Sequence, residues 1–299
     1  MAALQPIKAT AHNCGSRFFR AQTQNVRYDS HVQIVDTHCH IHEASADEGE
    51  DFLHDIWQKA EDPNPNAMAS RATEAGVTRL ICVGTSAKDS KLAVDFVQSR
   101  DQCWASIGVH PHDAKDGPGA LAAIATLAGR PKVVAVGECG LDYFYTHSPK
   151  EDQIKALRFQ IELALRHDLP LIFHVREALD DFWPVFDSYE GIRGVLHSFT
   201  DSSENLRRAL ERGLYIGANG IMTFSKNQDQ LQMIQAVPLQ KLLIETDAPF
   251  LTPVPFRGKV NEPAHAIHIA AFLADLRGES LQTLANQTTE NALTLFKLK

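Results

Sequence analysis

The sequence predicts an α/β fold, a (β/α)8 TIM barrel with closing C-terminal helices. Three observations predict it: eight short apolar runs recur along the chain, helical patterning fills the spaces between them, and histidines and acids stand at the ends of the runs. The runs cover 34–40, 78–84, 103–110, 133–140, 170–176, 194–199, 214–220 and 241–247. Each is continuous rather than alternating, the pattern of parallel strands covered by helices. A doubly wound open sheet shares that order of strand and helix. Only a closed barrel brings so many strand ends to one mouth.

Residues 1–31 lie outside the expected barrel, which spans 32–299. They hold no acid before Asp29 and carry Lys8, Arg17, Arg20 and Arg27, a weak likeness to a transit peptide on what reads as an extension. The first run leads into a long excursion, 41–77, acidic from Glu43 to Asp55 and marked by Pro63 and Pro65. Helical stretches separate the next runs. The clearest of them, 148–167, puts Ile154, Leu157, Ile161, Ala164 and Leu165 on one face. Ser148 suits its N-cap, Pro149 its first turn and Glu151 a capping box, and it stops before Pro170, where the fifth run begins. After the eighth run, 263–296 reads as closing helices, and no repeat or linker divides the chain.

At 299 residues, 44% apolar and 22% charged, the composition is that of an ordinary globular protein. No apolar run approaches the roughly 20 residues that span a bilayer, so no membrane partner is expected. The five cysteines, Cys14, Cys39, Cys82, Cys103 and Cys139, are odd in number and make no CxxC pair, which suits a reduced, cytoplasmic setting, or a mitochondrial one if the extension is a transit peptide. A net charge of −8 argues against broad electrostatic capture of nucleic acid, so attraction for an anionic substrate has to be local.

The chemistry gathers at the run ends. His38 and His40 are two apart on one strand and face the same way, toward the mouth, while Cys39 packs outward; His40 with His42 is a competing pair in the same register. Glu138 ends Val133-Val-Ala-Val-Gly, His174 ends Leu171-Ile-Phe, His197 ends Gly194-Val-Leu, and Asp247 ends Leu242-Leu-Ile-Glu-Thr. Singly, each reads as a core histidine or a structural ion pair. A buried carboxylate still needs a cation or a hydrogen-bond network, since isolation costs several kcal/mol. Jointly the six fit two divalent ions bridged by Glu138, and the absence of thiolates disfavours a structural zinc. Glu245, two residues before Asp247, reads as a supporting residue deeper in the same strand.

The segments Asp36-Thr-His-Cys-His, Gly108-Val-His-Pro-His, Gly137-Glu-Cys-Gly-Leu-Asp-Tyr, Phe173-His-Val-Arg-Glu-Ala, Leu196-His-Ser-Phe-Thr and Glu245-Thr-Asp-Ala-Pro-Phe-Leu-Thr-Pro resemble the TatD family of metal-dependent deoxyribonucleases over roughly 32–296. The resemblance implies that His38, His40 and Asp247 bind one ion, His174 and His197 the other, and that Glu138 joins them. It implies a 3′-to-5′ exonuclease on single-stranded or frayed DNA ends, with two Mg²⁺, Mn²⁺ or Zn²⁺ ions. Water activated by the ion pair is the expected nucleophile, with Asp247 as base. Some relatives of this kind suggest an alternative on the same site, D-aminoacyl-tRNA deacylation or amide or ester hydrolysis. Arg176, His110 and Arg257 are expected to contact substrate, with Lys226 and Lys259 on the rim. Tyr143, Phe144 and Tyr145 follow Glu138 closely, and Tyr143 is expected to meet a terminal base. A monomer is expected.

Overall fold

A computed structural model describes residues 32–46 and 52–298. The extension before residue 32 and Cys14 within it lie outside the described residues, as do 47–51 of the acidic excursion. Eight strands form one sheet in sequence order: β1 Ile34–Cys39, β2 Val77–Val83, β3 Cys103–Ile107, β4 Val133–Asp142, β5 Leu171–Arg176, β6 Gly194–Leu196, β7 Tyr215–Ala218 and β8 Leu242–Ile244. Every neighbouring pair is parallel. The ring closes where β8 returns to β1: Asp247 N donates to His38 O at 2.8 Å and His40 N to Ala248 O at 2.8 Å. The predicted barrel is therefore the observed one.

Two buried clusters divide the interior. The larger lies between the sheet and its helices, with Trp57, Phe173, Phe182 and Trp183 among its bulkiest members. The smaller joins Val35, Ile81, Val83, Ile172, Val195 and Leu243 from five strands, and Leu295 and Phe296 of the final helix, Leu281–Phe296, pack on it. The C-terminal helix thus seals the end of the barrel away from the run-end histidines.

Two local expectations change. The helix after β4 spans Lys150–Arg166 with Pro149 at its N-cap and no side-chain cap. Ser148 instead donates to His112 O at 2.6 Å and accepts from Lys115 N at 3.1 Å, so it ties the turn after β3 to this helix. Leu165 is exposed; Gln153 and Gln160 take buried places because each satisfies main-chain groups, Gln160 bonding both Val109 N and Val109 O. Several strands are also shorter than their apolar runs. His197, Ser198 and Asp247 follow the last ladder residues, and Ser198 (φ 49°) and Asp247 (φ 57°) take left-handed backbone where the chain leaves the sheet.

Gly140 marks the tightest approach of two strands beside the site, because a Cβ there would sit 1.9 Å from His174 O. Gly140→Ala must push β4 off β5, and it is expected to lower unfolding stability by about 2 kcal/mol or more, read as a lower urea midpoint. An unchanged midpoint would contradict this packing.

Candidate metal centre

Five strand ends deliver six side chains to one mouth. His38 and His40 come from the end of β1, Glu138 from within β4, His174 from β5, His197 from just past β6 and Asp247 from just past β8. His38 Nε2 lies 3.4 Å from Glu138 Oε2 and 3.7 Å from Asp247 Oδ1. His40 Nε2 is 3.5 Å from Asp247 Oδ1, and His197 Nε2 is 3.8 Å from Glu138 Oε1 and 3.9 Å from Asp247 Oδ1. His174 Nδ1 is hydrogen-bonded to Glu138 Oε1 at 2.8 Å. Most of these separations are too long for hydrogen bonds. Those of 3.4 and 3.5 Å match ligands sharing an ion at about 2.0–2.2 Å from each, which stand about 3–3.5 Å apart, and those of 3.7, 3.8 and 3.9 Å are slightly longer.

The rings are aimed by what lies behind them. His40 Nδ1 donates to Val83 O at 2.9 Å, which leaves Nε2 as a lone pair directed at Asp247. His197 Nδ1 lies 3.1 Å from Glu245 Oε1, an ionic contact rather than an aligned hydrogen bond, and its Nε2 faces Glu138 and Asp247. Glu245 also accepts from Ser198 N at 2.7 Å, and Gly217 makes room for it, since a Cβ there would sit 2.3 Å from its carboxylate. His38 is the exception. Its ring is fully buried, yet among the described residues neither nitrogen has a hydrogen-bond partner. A buried imidazole with a free lone pair beside two carboxylates fits a cation.

Electrostatics point the same way. Burial opposes a charge on Glu138, but His38, His110 and His174 hold its carboxyl well below the ordinary range. Asp247 is likewise lowered, burial being outweighed by His40 and His197. Burial opposes protonation of His174, and the hydrogen bonds to Asp142 and Glu138 nevertheless push it up to about 9. Glu245 does the same for His197 against its burial, to about 10. Burial and the neighbouring His197 lower His38. Anionic oxygens thus hold positive charge in place at the centre.

The donors fall into two triads that share Glu138: His38, His40 and Glu138, and His110, Glu138 and His174. The second triad contains His110, whose Nε2 is 3.7 Å from Glu138 Oε1. His197 groups instead with His38 and Glu245, its ring stacked on His38 at 3.7 Å, while its ring centre is 6.5 Å from that of His174. Of the competing pair, His42 is set apart from the other histidines, with its Nε2 on Asp89 Oδ1 at 2.8 Å and Glu43 and Asp89 as its nearest donors.

A cavity of about 730 Å³ opens over the centre, and Tyr145, Arg176, Ile221 and Leu251 are among its walls. His110 and Arg176, the residues expected to contact substrate, line it. Tyr143 does not: its hydroxyl donates to Asp181 Oδ2 at 2.8 Å and Lys150 Nζ covers its ring at 3.7 Å, and Tyr145 takes the wall position. Arg257 is also turned aside, donating to Thr252 O at 2.8 Å with its guanidinium 3.8 Å over Phe224; neither it, Lys226 nor Lys259 lines the cavity. Asp142 is the residue that sequence reasoning missed. Its Oδ2 bonds His174 Nε2 at 2.9 Å and contacts His112 Nε2 at 3.2 Å. The two-residue period that selected His38 and His40, carried along β4 from Glu138 past Gly140, reaches it.

A family model for TatD related DNase matches residues 35–297. The chain is 36% identical to the uncharacterized metal-dependent hydrolase YabD of Bacillus subtilis, over 89% of this chain and 99% of that protein. It is 38% identical to the 3′-5′ ssDNA/RNA exonuclease TatD of Escherichia coli, over 75% of this chain and 90% of that protein. The crystal structure of YjjV, a TatD homologue from Escherichia coli, superposes with a TM-score of 0.78 at 30% identity, covering 89% of this chain and 98% of that one. Among the described residues no helix is long and apolar enough to cross a membrane. Matched almost end to end over its barrel, by sequence and by structure, the chain belongs to the TatD-related DNase family.

Proposed function

We propose that this protein is a metal-dependent nuclease that hydrolyses phosphodiester bonds from the ends of single-stranded or frayed DNA, in the 3′-to-5′ direction, with His38, His40, Glu138, His174, His197 and Asp247 holding two divalent cations. The observation that carries the reading is the position of Glu138: Oε2 faces His38 at 3.4 Å, whereas Oε1 faces His174 at 2.8 Å and His110 at 3.7 Å. One carboxylate in contact with two separate imidazole groups is the arrangement of a bridging ligand. The 3′-5′ ssDNA/RNA exonuclease TatD of Escherichia coli, to which the chain is similar, suggests the polarity and the nucleic-acid substrate.

Bound there, a cation pair would activate water and offset charge on the scissile phosphate. The chain's own residues do the rest. Arg176 and His110, on the cavity wall, bind phosphate oxygens locally on a protein whose net charge is −8. Asp247 is ionised near neutrality and accepts the attacking water's proton at Oδ1. The small cavity admits a strand end rather than a duplex flank. A monomer in the cytoplasm belongs to the same proposal; the buried thiols of Cys39, Cys82, Cys103 and Cys139, all free, support a reducing setting.

Digestion of end-labelled single-stranded oligonucleotides tests the reading directly. A ladder shortening from one end, abolished by chelator and by Glu138→Ala, is expected. Asp247→Asn is expected to lower kcat about a hundredfold or more with a much smaller change in substrate affinity. Turnover of D-aminoacyl-tRNA or simple esters, with DNA left intact, would contradict it.

Cation binding should also depend on pH in a defined direction. In chelator-stripped protein His174 and His197 stay protonated up to about 9 and 10. Their folded values lie above the ordinary histidine range, so their charged forms stabilise the stripped fold fully below about pH 6.5. That stabilisation fades as pH rises through those values. A cation must displace the protons, so its affinity rises with pH, by about tenfold per unit for each proton released. Calorimetric titration with Mn²⁺ at pH 6.5 and 8.5 is expected to show that rise with proton release. Equal affinities would contradict the assignment of these rings as ligands.

A further inference from the structure

Among the described residues three large apolar side chains stand exposed, Phe144 at 48%, Tyr145 at 43% and Leu165 at 37%. Two of them are chain neighbours at the end of β4, and Tyr145 lines the cavity over the metal centre. Aromatic rings left in water beside a reaction centre mark a surface that something covers. These rings are held in place. Asp142 Oδ1 accepts from Phe144 N at 3.0 Å and from Tyr145 N at 2.9 Å. The Arg176 guanidinium lies 3.8 Å over Phe144 and 5.0 Å from the Tyr145 ring centre, and His147 stacks along Tyr145 at 5.7 Å.

We infer that Tyr145, flanked by Arg176, is the seat of an unpaired nucleobase, and that Asp142 is the positioning residue that fixes this seat relative to His174. The inference rests on the nuclease reading above and deepens it by naming a substrate contact. The occupant is identified by chemistry. A ring seat next to a guanidinium, on the wall of the cavity that opens over the candidate centre, matches a nucleotide: its flat base would stack on the aromatic while its phosphate would meet the cations. Stacking tolerates any base and needs a base free of its partner, which selects unpaired ends. Asp142 links the two halves with one carboxylate, Oδ2 on His174 and Oδ1 on the two ring-bearing residues. Tyr143, committed to Asp181, takes no part.

The test uses the cation-loaded full chain and oligonucleotides carrying 2-aminopurine at either terminus in turn, with a phosphorothioate last linkage to slow cleavage. Wild type is expected to quench the fluorophore at one terminus. Tyr145→Ala should lose the quench and raise KM on ordinary oligonucleotides about tenfold, with a smaller change in kcat, while Tyr145→Trp restores both. With an abasic terminal nucleotide, wild type and Tyr145→Ala should show equal KM. Asp142→Asn should weaken Mn²⁺ binding about tenfold by calorimetry as well as the quench, whereas Tyr145→Ala leaves Mn²⁺ affinity unchanged. Wild-type cleavage of DNA with KM and quench unaffected by Tyr145→Ala would overturn the seat while leaving the nuclease reading intact. Failure of wild type to bind or cleave any oligonucleotide would overturn both.

Discussion

A carboxylate sealed into the mouth of a barrel must find charge or hydrogen-bonding partners, and Glu138 finds them in imidazoles that other strands bring to it. It is 5% exposed, and an unpaired charge so placed costs several kcal/mol. The remedy has shaped its surroundings. His38, His110 and His174 approach it from β1, the loop after β3 and β5, and each is in turn held by an element behind it or left with a lone pair for a cation. Asp36, in the same mouth, is treated differently: burial pushes its carboxyl up to about 7, and Thr246 N and Thr246 Oγ1 bond it at 2.9 and 2.6 Å. That acid joins β1 to the segment after β8, so the carboxylate that closes the barrel and the carboxylate that gathers histidines are separate groups.

The two ends of the barrel are correspondingly different materials. Val35, Ile172, Val195 and Leu243 fill the lower interior under Leu295 and Phe296, where only size and shape matter. The upper mouth holds charged and aromatic groups whose spacing matters more than their volume. Stability drawn from the lower cluster allows the mouth to keep orphaned nitrogens and exposed rings that would weaken a smaller fold.

Much of this was legible in the residues. Continuous apolar runs and their helix-long spacing gave eight parallel strands, because burial on both faces leaves no other pattern. Donors at the run ends gave the centre, because the ends of parallel strands in a closed barrel share one mouth. What stayed hidden depended on side-chain direction in loops. Tyr143, Phe144 and Tyr145 are consecutive aromatics, and no periodicity tells which turns inward; Asp181 and Lys150 decide it by capturing Tyr143. Arg257 follows β8 as expected, but Thr252 O and Phe224 draw it off the cavity. Ser148 looks like a helix cap in sequence and is used by His112 O and Lys115 N, partners distant along the chain. His197 sits nearer to His38 than to His174 because Glu245, two strands over, holds its other nitrogen.

The central claim is that Glu138 joins two cations. Elemental analysis of chelator-stripped protein reloaded with Mn²⁺ and desalted tests it most directly. Two ions per chain in the wild type and at most one in Glu138→Gln, with the fold intact by circular dichroism, is the predicted result. The same ion count in both proteins, or none in the wild type, would contradict it.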